Sequence, residues 1–385
     1  MEIYLDNSAT TPLSAVAKDK IFAAAEVFGN PSSLHSEGLK AQKLISEARK
    51  NILSALGAKN TGEIVFTSSG TEATSLAIFG SAFAKQRRDA TRILTTDSEH
   101  PSVEEAMKAL ESFGFEVIRI PTARGVLDLD AIRAALDKKI FMASFMMVNN
   151  ETGAAYDVAS AFSLIKSKYP SAITHCDAVQ GFLKKKFTPA QIKADLVTIS
   201  GHKLHAPKGV GALYISNEMK KAKKIVPFVL GGGQEGGMRS GTENVIGIAA
   251  FGAAVADVYP RCDAVIAHMR ELTDYAKSVL GQLELKLNVP EGESAPHILN
   301  ITLPDIKSET MLHFLSKSGI YVSSGSACSS HSHSPSRALT AFGLDAHSAD
   351  CSLRISFSEY NTFDEVDALA ERLSEGINTL VRIRR

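Results

Sequence analysis

No two of the chain's four cysteines, Cys176, Cys262, Cys328 and Cys351, stand in a Cys-x-x-Cys pair. Thiols this sparse and scattered over 385 residues exclude a disulfide framework and a zinc ribbon. They point instead to a reducing cytoplasm in which a free, reactive thiol can persist. Charge of one sign is missing as well. With 42 basic and 42 acidic residues the formal net charge is zero, which argues against direct nucleic-acid binding and against adsorption to an anionic membrane. The basic clusters Lys184-Lys185-Lys186 and Lys220-Lys221-Ala222-Lys223-Lys224 are short and read as solvated faces. No uninterrupted apolar segment reaches the roughly 20 residues that a membrane helix requires. The stretch Met1-Glu2-Ile3-Tyr4-Leu5-Asp6 has no basic run ahead of an apolar one, so no secretory leader is expected. Internal repeats and low-complexity segments are also absent.

A chain of 385 residues exceeds a usual single core, so two domains are expected. From about residue 60 to 215, strand-like runs alternate with amphipathic helices. Ile64-Val65-Phe66, Arg92-Ile93-Leu94-Thr95, Val117-Ile118-Arg119-Ile120 and residues 141–148 read as strands, as do Ile173-Thr174-His175-Cys176, residues 196–199 and Ala212-Leu213-Tyr214-Ile215. Leu76, Phe79 and Phe83 share one helical face, and Val103, Met107 and Leu110 another. Alternation of this length predicts an α/β fold with a mostly parallel sheet whose ligands lie at the carboxyl ends of the strands. Beyond about residue 260 the pattern changes to α+β. It predicts helices at 264–283, 308–318 and from about 363, and strands at 298–303, 320–322 and 352–357. The glycine-rich residues 231–237 read as a flexible loop.

The chemistry gathers at the strand ends. Ser200-Gly201-His202-Lys203 ends one apolar run and sets a lysine beside a hydroxyl and an imidazole, which suits a Schiff-base lysine. A solvated loop lysine is the plain alternative, and Lys208 competes for the role. Thr67-Ser68-Ser69-Gly70-Thr71-Glu72 opens a helix with small residues. It reads equally as a helix cap or as an anion cradle, and no Gly-Lys-Ser/Thr follows to make it a Walker loop. Asp177 could pair with a protonated ring nitrogen, His100 could lie over a flat ring, and Asn149-Asn150-Glu151 forms a polar turn. Each reading is weak singly. Together, phosphate donors, an imidazole, an amide, a carboxylate and a lysine match what pyridoxal 5'-phosphate requires.

Residues 323–334 are small and polar and hold Cys328, so this thiol reads as exposed and ionisable. An incidental surface thiol is the alternative. A metal site from Cys328, His331 and His333 has no fourth ligand at sensible spacing, so no metal is expected.

Ordered motifs along nearly the whole chain resemble the cysteine desulfurases of the NifS/IscS group, among the class V aminotransferase-fold enzymes. They include residues 4–12, Gly29-Asn30-Pro31-Ser32-Ser33-Leu34-His35, Ser69-Gly70-Thr71-Glu72, Glu99-His100 and Asn149-Asn150-Glu151. The series continues through Asp177-Ala178-Val179-Gln180, Ser200-Gly201-His202-Lys203, Arg239-Ser240-Gly241-Thr242, Gly325-Ser326-Ala327-Cys328 and Leu353-Arg354-Ile355-Ser356.

The resemblance implies the fold of pyridoxal-phosphate-dependent transferases of the aspartate aminotransferase type. A large α/β domain with a seven-stranded sheet would span residues 16–258. A smaller α+β domain would combine residues 1–15 and 259–385 and carry the cysteine loop, about 323–335. Lys203 would hold the cofactor covalently, Asp177 its ring nitrogen and His100 its ring face. Asn150 and Gln180 would contact the phenolic oxygen. Gly70, Thr71, Ser200 and His202 would hold the phosphate, with Thr242 from the other subunit of a homodimer. Arg354, with Asn150, would bind the carboxylate of L-cysteine.

Lys203 would move the α-proton, and Cys328 would attack the substrate sulfur, with His100 managing protons at the thiol. The products would be alanine and a Cys328 persulfide, which is handed to a sulfur-acceptor protein of iron–sulfur cluster assembly or of thiolation. A selenocysteine lyase or other β-elimination enzyme of the same fold is the nearest alternative; a plain aminotransferase and a non-catalytic sulfur-carrier scaffold are more distant ones. Four positions depart from the family pattern: Ser69, Ser75, Tyr156 and Ala206, of which Ser75 and Tyr156 are expected to alter hydrogen bonding near the cofactor.

Overall fold

The computed structural model describes residues 2–84, 90–324 and 336–382. Among the described residues, seven strands form the central sheet: β1 (Gly62–Thr67), β2 (Arg92–Thr96), β3 (Glu116–Ile120), β4 (Ile140–Met146), β5 (Ile173–Asp177), β6 (Leu196–Ser200) and β7 (Gly211–Ser216). Their order is β1-β7-β6-β5-β4-β2-β3. β7 is antiparallel to both neighbours, and every other adjacent pair is parallel. All seven strands coincide with the apolar runs of the sequence. The fourth stops at Met146, not Val148, because Val148 leaves the sheet to bridge Ala155.

Parallel sheets are covered on both faces, so their strands are apolar throughout, and every residue of β4 is buried. Along β1 the period of two is visible: Ile64 and Phe66 enter one core and Val65 the other. Helices α1 (Ala15–Ala25), α2 (Ser36–Ala55) and α5 (Val245–Val258) cover the first face. Helices α3 (Gly70–Ala82) and α4 (Pro101–Ser112) cover the second, through Leu76, Val103, Met107 and Leu110.

A separate core gathers Ile3 and Leu5 with residues from Leu272 to Ile377. It surrounds an antiparallel sheet of β8 (Lys286–Leu287), β9 (Ile298–Thr302), β10 (Ser323–Ser324) and β11 (Ser352–Ser356), in the order β8-β9-β11-β10. Helices α6 (Cys262–Leu280) and α7 (Phe363–Thr379) pack on it, the latter opened by a capping box of Thr362 and Glu365. The run at 320–322 ends early: Ile320 and Tyr321 pair with Ile3 and Tyr4, Val322 is in neither strand, and Ser323 and Ser324 pair with β11. The stretch Val245–Leu280 is apolar and long enough to cross a membrane by length and composition, yet half of its most apolar window is buried, with Ile248, Phe251 and Val255 in the core.

The glycine-rich residues 231–237 form a loop with one short turn, from which the Glu235 carboxylate accepts hydrogen bonds from the Phe66 N–H at 2.8 Å and from Arg49 at 2.8 and 3.0 Å. One sequence expectation needs correction. Lys184 is not a solvated residue like Lys185 and Lys186. It is only 7% exposed, and its amine has no hydrogen-bond partner.

Candidate active site

β6 ends at Ser200 and Gly201–Lys203 makes one tight turn, which brings Lys203 to the carboxyl edge of the sheet. The N-terminal segment crosses this edge. Lys203 Nζ donates to the carbonyls of Ser8 at 2.6 Å and Ala9 at 2.8 Å, and the Thr11 N–H donates to the His202 carbonyl at 2.9 Å. Lys208 is exposed, so Lys203 is the lysine held within the site. His202 lies with Nδ1 3.3 Å from the Thr10 hydroxyl. Burial, then the neighbouring Lys203, pushes its pKa down to about 4.

The turn before α3 is a helix cap whose small residues leave room for an anion. Ser69 caps the helix, accepting from the Glu72 N–H at 3.1 Å, and Glu72 is held by Arg239 at 2.7 Å. The N-terminus of α3, the positive end of its dipole, lies beside the end of β6. Only glycine fits at Gly211, where a Cβ would lie 2.4 Å from the Ser69 carbonyl carbon. A Cβ on Gly70 would lie 3.3 Å from that of Ser200, so the cradle and Ser200 are adjacent. The Ser200 hydroxyl is buried and has no partner. A hydroxyl left so costs about 1–3 kcal/mol, and a phosphate oxygen there would satisfy it. Thr71 is exposed at the mouth of the cradle.

Asp177 ends β5, buried, with one oxygen accepting from the Val179 N–H at 3.0 Å. Burial pushes its pKa up to about 6, against the pull of that N–H and of Lys203. A protonated ring nitrogen beside it would return it to the ionised form, so the position fits a pyridinium. His100 caps α4, its Nδ1 accepting from the Ser102 N–H at 3.1 Å. A backbone N–H can only donate, so the imidazole proton sits on Nε2. Burial, then Lys203, takes the His100 pKa down to about 4, and the ring is neutral.

In the turn after β4, Asn149 is structural, its Oδ1 accepting from the N–H groups of Glu151 and Thr152, both at 2.9 Å. The Asn150 side chain makes no hydrogen bond among the described residues and stays available. Gln180 is less free: its amide donates to the Ser8 carbonyl at 2.9 Å and its Oε1 lies 3.4 Å from His297 Nε2.

Arg354 on β11 is buried and donates to Asp6 at 2.8 Å and to the Asn150 carbonyl at 2.9 Å. Two of its five N–H groups are thus spent on orientation, and its Nε has no partner among the described residues. Thr242 is exposed and makes no hydrogen bond among the described residues. Cys328 lies outside the described residues, as do His331 and His333.

The matching family model is Aminotransferase class-V, which covers residues 3–369. The chain belongs to this family. A relative named cysteine desulfurase IscS, from Dictyoglomus turgidum, is 37% identical over 390 residues, or 98% of this chain and 96% of its own. A cysteine desulfurase of Trichormus azollae is 36% identical over 98% of this chain and 93% of its own. Among solved structures, a NifS-like protein superposes with a TM-score of 0.90 at 34% identity, over 99% of this chain and all of its own. A structure described as SspA in complex with cysteine has a TM-score of 0.80 at 30% identity, over 94% of this chain and all of its own.

In this member of the class V family, a buried polar shell lies behind the site. Tyr156, one of the departures, places its hydroxyl 2.7 Å from that of Ser98, two residues before His100. Thr122 donates to Asp97 at 2.6 Å alongside it. For Ser75 the described residues offer no side-chain hydrogen bond.

Glu99 accepts from the Thr96 hydroxyl at 2.7 Å and from the Met146 N–H at 2.8 Å, and its second oxygen has no partner. Burial pushes its pKa from 4.5 up to about 8, the two hydrogen bonds opposing and Asp177 adding, so at neutral pH it is a neutral acid. Its folded value lies above its unfolded one. The stability it contributes is complete below about 4.5 and is lost as pH rises through about 8. The melting temperature of the wild type should therefore fall by a few degrees more than that of Glu99→Gln between pH 7 and 9. Parallel pH profiles would show that this carboxyl does not titrate there.

Sequence reasoning passed over Asp6, Ser8 and Ala9, whose roles come from contacts hundreds of residues away, and Lys184. Burial, then Lys203, takes the Lys184 pKa down to about 7. No local pattern marks a lysine in a basic triplet as buried.

Proposed function

We propose that the protein is a pyridoxal-phosphate-dependent cysteine desulfurase, which converts L-cysteine to L-alanine and leaves the sulfur as a persulfide on Cys328. The observation that carries this reading is the buried Ser200 hydroxyl at the α3 N-terminus, unpartnered among the described residues, at the same sheet edge as buried Asp177 and half-buried His100 and Lys203. That donor set fits a phosphorylated pyridine aldehyde. Gly70, Thr71, Ser200 and His202 would hold its phosphate, Asp177 its ring nitrogen, His100 its face, Asn150 and Gln180 its phenolic oxygen, and Lys203 its aldehyde carbon. Bound there, the cofactor supplies an electron sink for the α-carbon of an amino acid.

The remaining chemistry belongs to this chain's own residues. Arg354, braced by Asp6, orients the substrate carboxylate beside Asn150. Lys203 carries the α-proton, and the carbonyls of Ser8 and Ala9 give the released amine a place to rest with its proton. Cys328 takes the sulfur: the substrate carbon–sulfur bond breaks, a sulfur–sulfur bond forms on the enzyme, and the carbon skeleton leaves as alanine. The thiol proton balances the products, so no external reductant is required.

The other cysteines support this choice. Burial raises the pKa of Cys176 and Cys262, and that of Cys351 up to about 11, so all three are protonated thiols and poor nucleophiles. All three are unpaired, which fits the reducing cytoplasm proposed for the protein.

The working form is a homodimer in this reading. Exposed Thr242 would reach the partner's phosphate, and Phe22, Phe28, Leu34 and Leu230 lie exposed on the surface for a second copy to cover. The persulfide would pass to a sulfur-acceptor protein of iron–sulfur cluster assembly or of thiolation. The division into residues 16–258 and residues 1–15 with 259–385 places the cofactor groups in one unit and Arg354 with Cys328 in the other.

The direct test incubates the purified yellow protein with L-cysteine and measures alanine together with protein-bound sulfane sulfur. Equal amounts are expected in a single turnover without added thiol. Formation of a 2-oxo acid in place of alanine would reject the desulfurase reading.

A further inference from the structure

Residues 325–335, with Cys328 among them, lie between two attachments. The first is β10, where Ser323 and Ser324 pair with Arg354 and Leu353 of β11. The second is Ser336 with Arg337, held by two carboxylates from loops and helices of the large sheet. Ser336 Oγ donates to Glu151 Oε2 at 2.6 Å, and Arg337 forms an ion pair with Glu104.

The Ser336 hydroxyl also accepts from the Leu339 N–H at 3.3 Å, as the cap of helix Arg337–Phe342. Its single proton is therefore committed to Glu151. Glu151 follows Asn150 directly, and the Asn150 carbonyl accepts from Arg354 at 2.9 Å. Glu104 lies one turn into α4, behind the His100 cap, where Arg119 grips it with two hydrogen bonds of 3.0 and 3.1 Å. Neither carboxylate is required to close its own element. Asn149 closes the turn and His100 caps the helix, so what the two carboxylates add, beside the Glu104 pairing with Arg119, is a hold on residues 336 and 337.

We propose that Glu151 and Glu104 are positioning residues, which fix the far attachment of the Cys328 segment to the turn bearing Asn150 and to the helix capped by His100. The inference rests on the reading of Cys328 as the sulfur-accepting thiol. An eleven-residue segment has a contour of up to about 40 Å. A thiol on it reaches the substrate sulfur reproducibly only if both ends are placed relative to that substrate. Arg354 places one end and the two carboxylates the other. Misplacement of a reacting group by about 1 Å can cost on the order of a hundredfold in rate.

Burial raises the Glu151 pKa, the Ser336 hydrogen bond and Arg354 opposing. A glutamine, which keeps an oxygen to accept the Ser336 proton, should therefore substitute for it.

The test uses holoenzyme carrying Glu151→Ala, Glu151→Gln or Arg337→Met. Cofactor absorbance, titrated with L-alanine, reports the amino-acid site without engaging a sulfur. The expected result is L-alanine affinity within about twofold of wild type in all three. With L-cysteine, kcat should fall by about tenfold or more in Glu151→Ala and in Arg337→Met, and Glu151→Gln should return most of it. Wild-type kcat in Glu151→Ala, or a Glu151→Gln enzyme as slow as Glu151→Ala, would overturn the role of Glu151. Wild-type kcat in Arg337→Met would overturn that of Glu104. Loss of colour or of L-alanine binding in both Glu151→Ala and Arg337→Met would overturn the proposal by making these contacts part of the cofactor site. Cys328→Ser, run in parallel, separates the two levels. An active Cys328→Ser enzyme rejects the reading of the thiol and this proposal with it. An inactive one beside fully active Glu151→Ala and Arg337→Met rejects the proposal alone.

Discussion

Cys328→Ser should abolish persulfide formation and lower alanine production from L-cysteine by at least about a thousandfold, while the purified protein stays yellow and its absorbance still responds to the amino acid. A serine hydroxyl keeps the size and hydrogen bonding of the side chain but is not a nucleophile towards sulfur. The groups proposed to hold cofactor and carboxylate are Ser200, Asp177, His100, Lys203 and Arg354, and none is altered. The other three thiols cannot take over, because burial keeps each one protonated. The measurement pairs alanine with sulfane sulfur on the tryptic peptide containing residue 328. Sulfur found on Cys176, Cys262 or Cys351 instead would remove Cys328 from its place in the mechanism.

Lys203→Ala should reduce turnover on the order of a thousandfold, within the range expected for losing a positioned acid–base group, and should also remove the covalent hold on the cofactor. Lys208→Ala should be nearly silent, since that side chain is exposed and lies beyond the edge where the N-terminal segment crosses. Adding a small primary amine to the Lys203→Ala enzyme should recover part of the rate, because the defect is a missing amine and not a missing fold. Equal losses in the two lysine variants, or no rescue by the amine, would mean that Lys203 acts by packing alone.

Much of the frame is legible in the sequence for a simple reason. A strand of a covered parallel sheet is apolar on both faces, so Ile140–Met146 and Leu196–Ser200 announce themselves as unbroken runs. The groups that follow such runs stand at the carboxyl edge, so Asp177, His100 and Lys203, each ambiguous alone, could be read together. Whatever depends on chain segments far apart was not readable. The pairing of Asp6 with Arg354 joins residues 348 positions apart, and nothing near either one signals it. Lys184 sits in a basic triplet that looks solvated, and only the packing of the completed fold buries it. Glu99 looks like any acidic residue until its burial beside the Thr96 hydroxyl makes it a neutral acid. The turn at Ser69 was ambiguous between a cap and a cradle; the Ser69 cap is seen, and the cradle belongs to the proposal.

The crossing of the N-terminal segment over Lys203 has a consequence for how the protein is made. Leu5 leaves the ribosome long before its core partners Leu353, Ile355 and Phe357. The same holds for Asp6 and Arg354. A nascent chain can complete the seven-stranded sheet once residue 216 has emerged. Lys203, His100 and Asp177 can then be in place while Arg354, proposed to orient the substrate, has still to be synthesised. During that interval the first residues have no second core to join, and they must wait for more than 130 further residues, up to Arg354. The residues proposed to hold the cofactor are thus synthesised before Arg354, the residue proposed to hold the cysteine, and desulfuration can begin only once Arg354 has joined the fold.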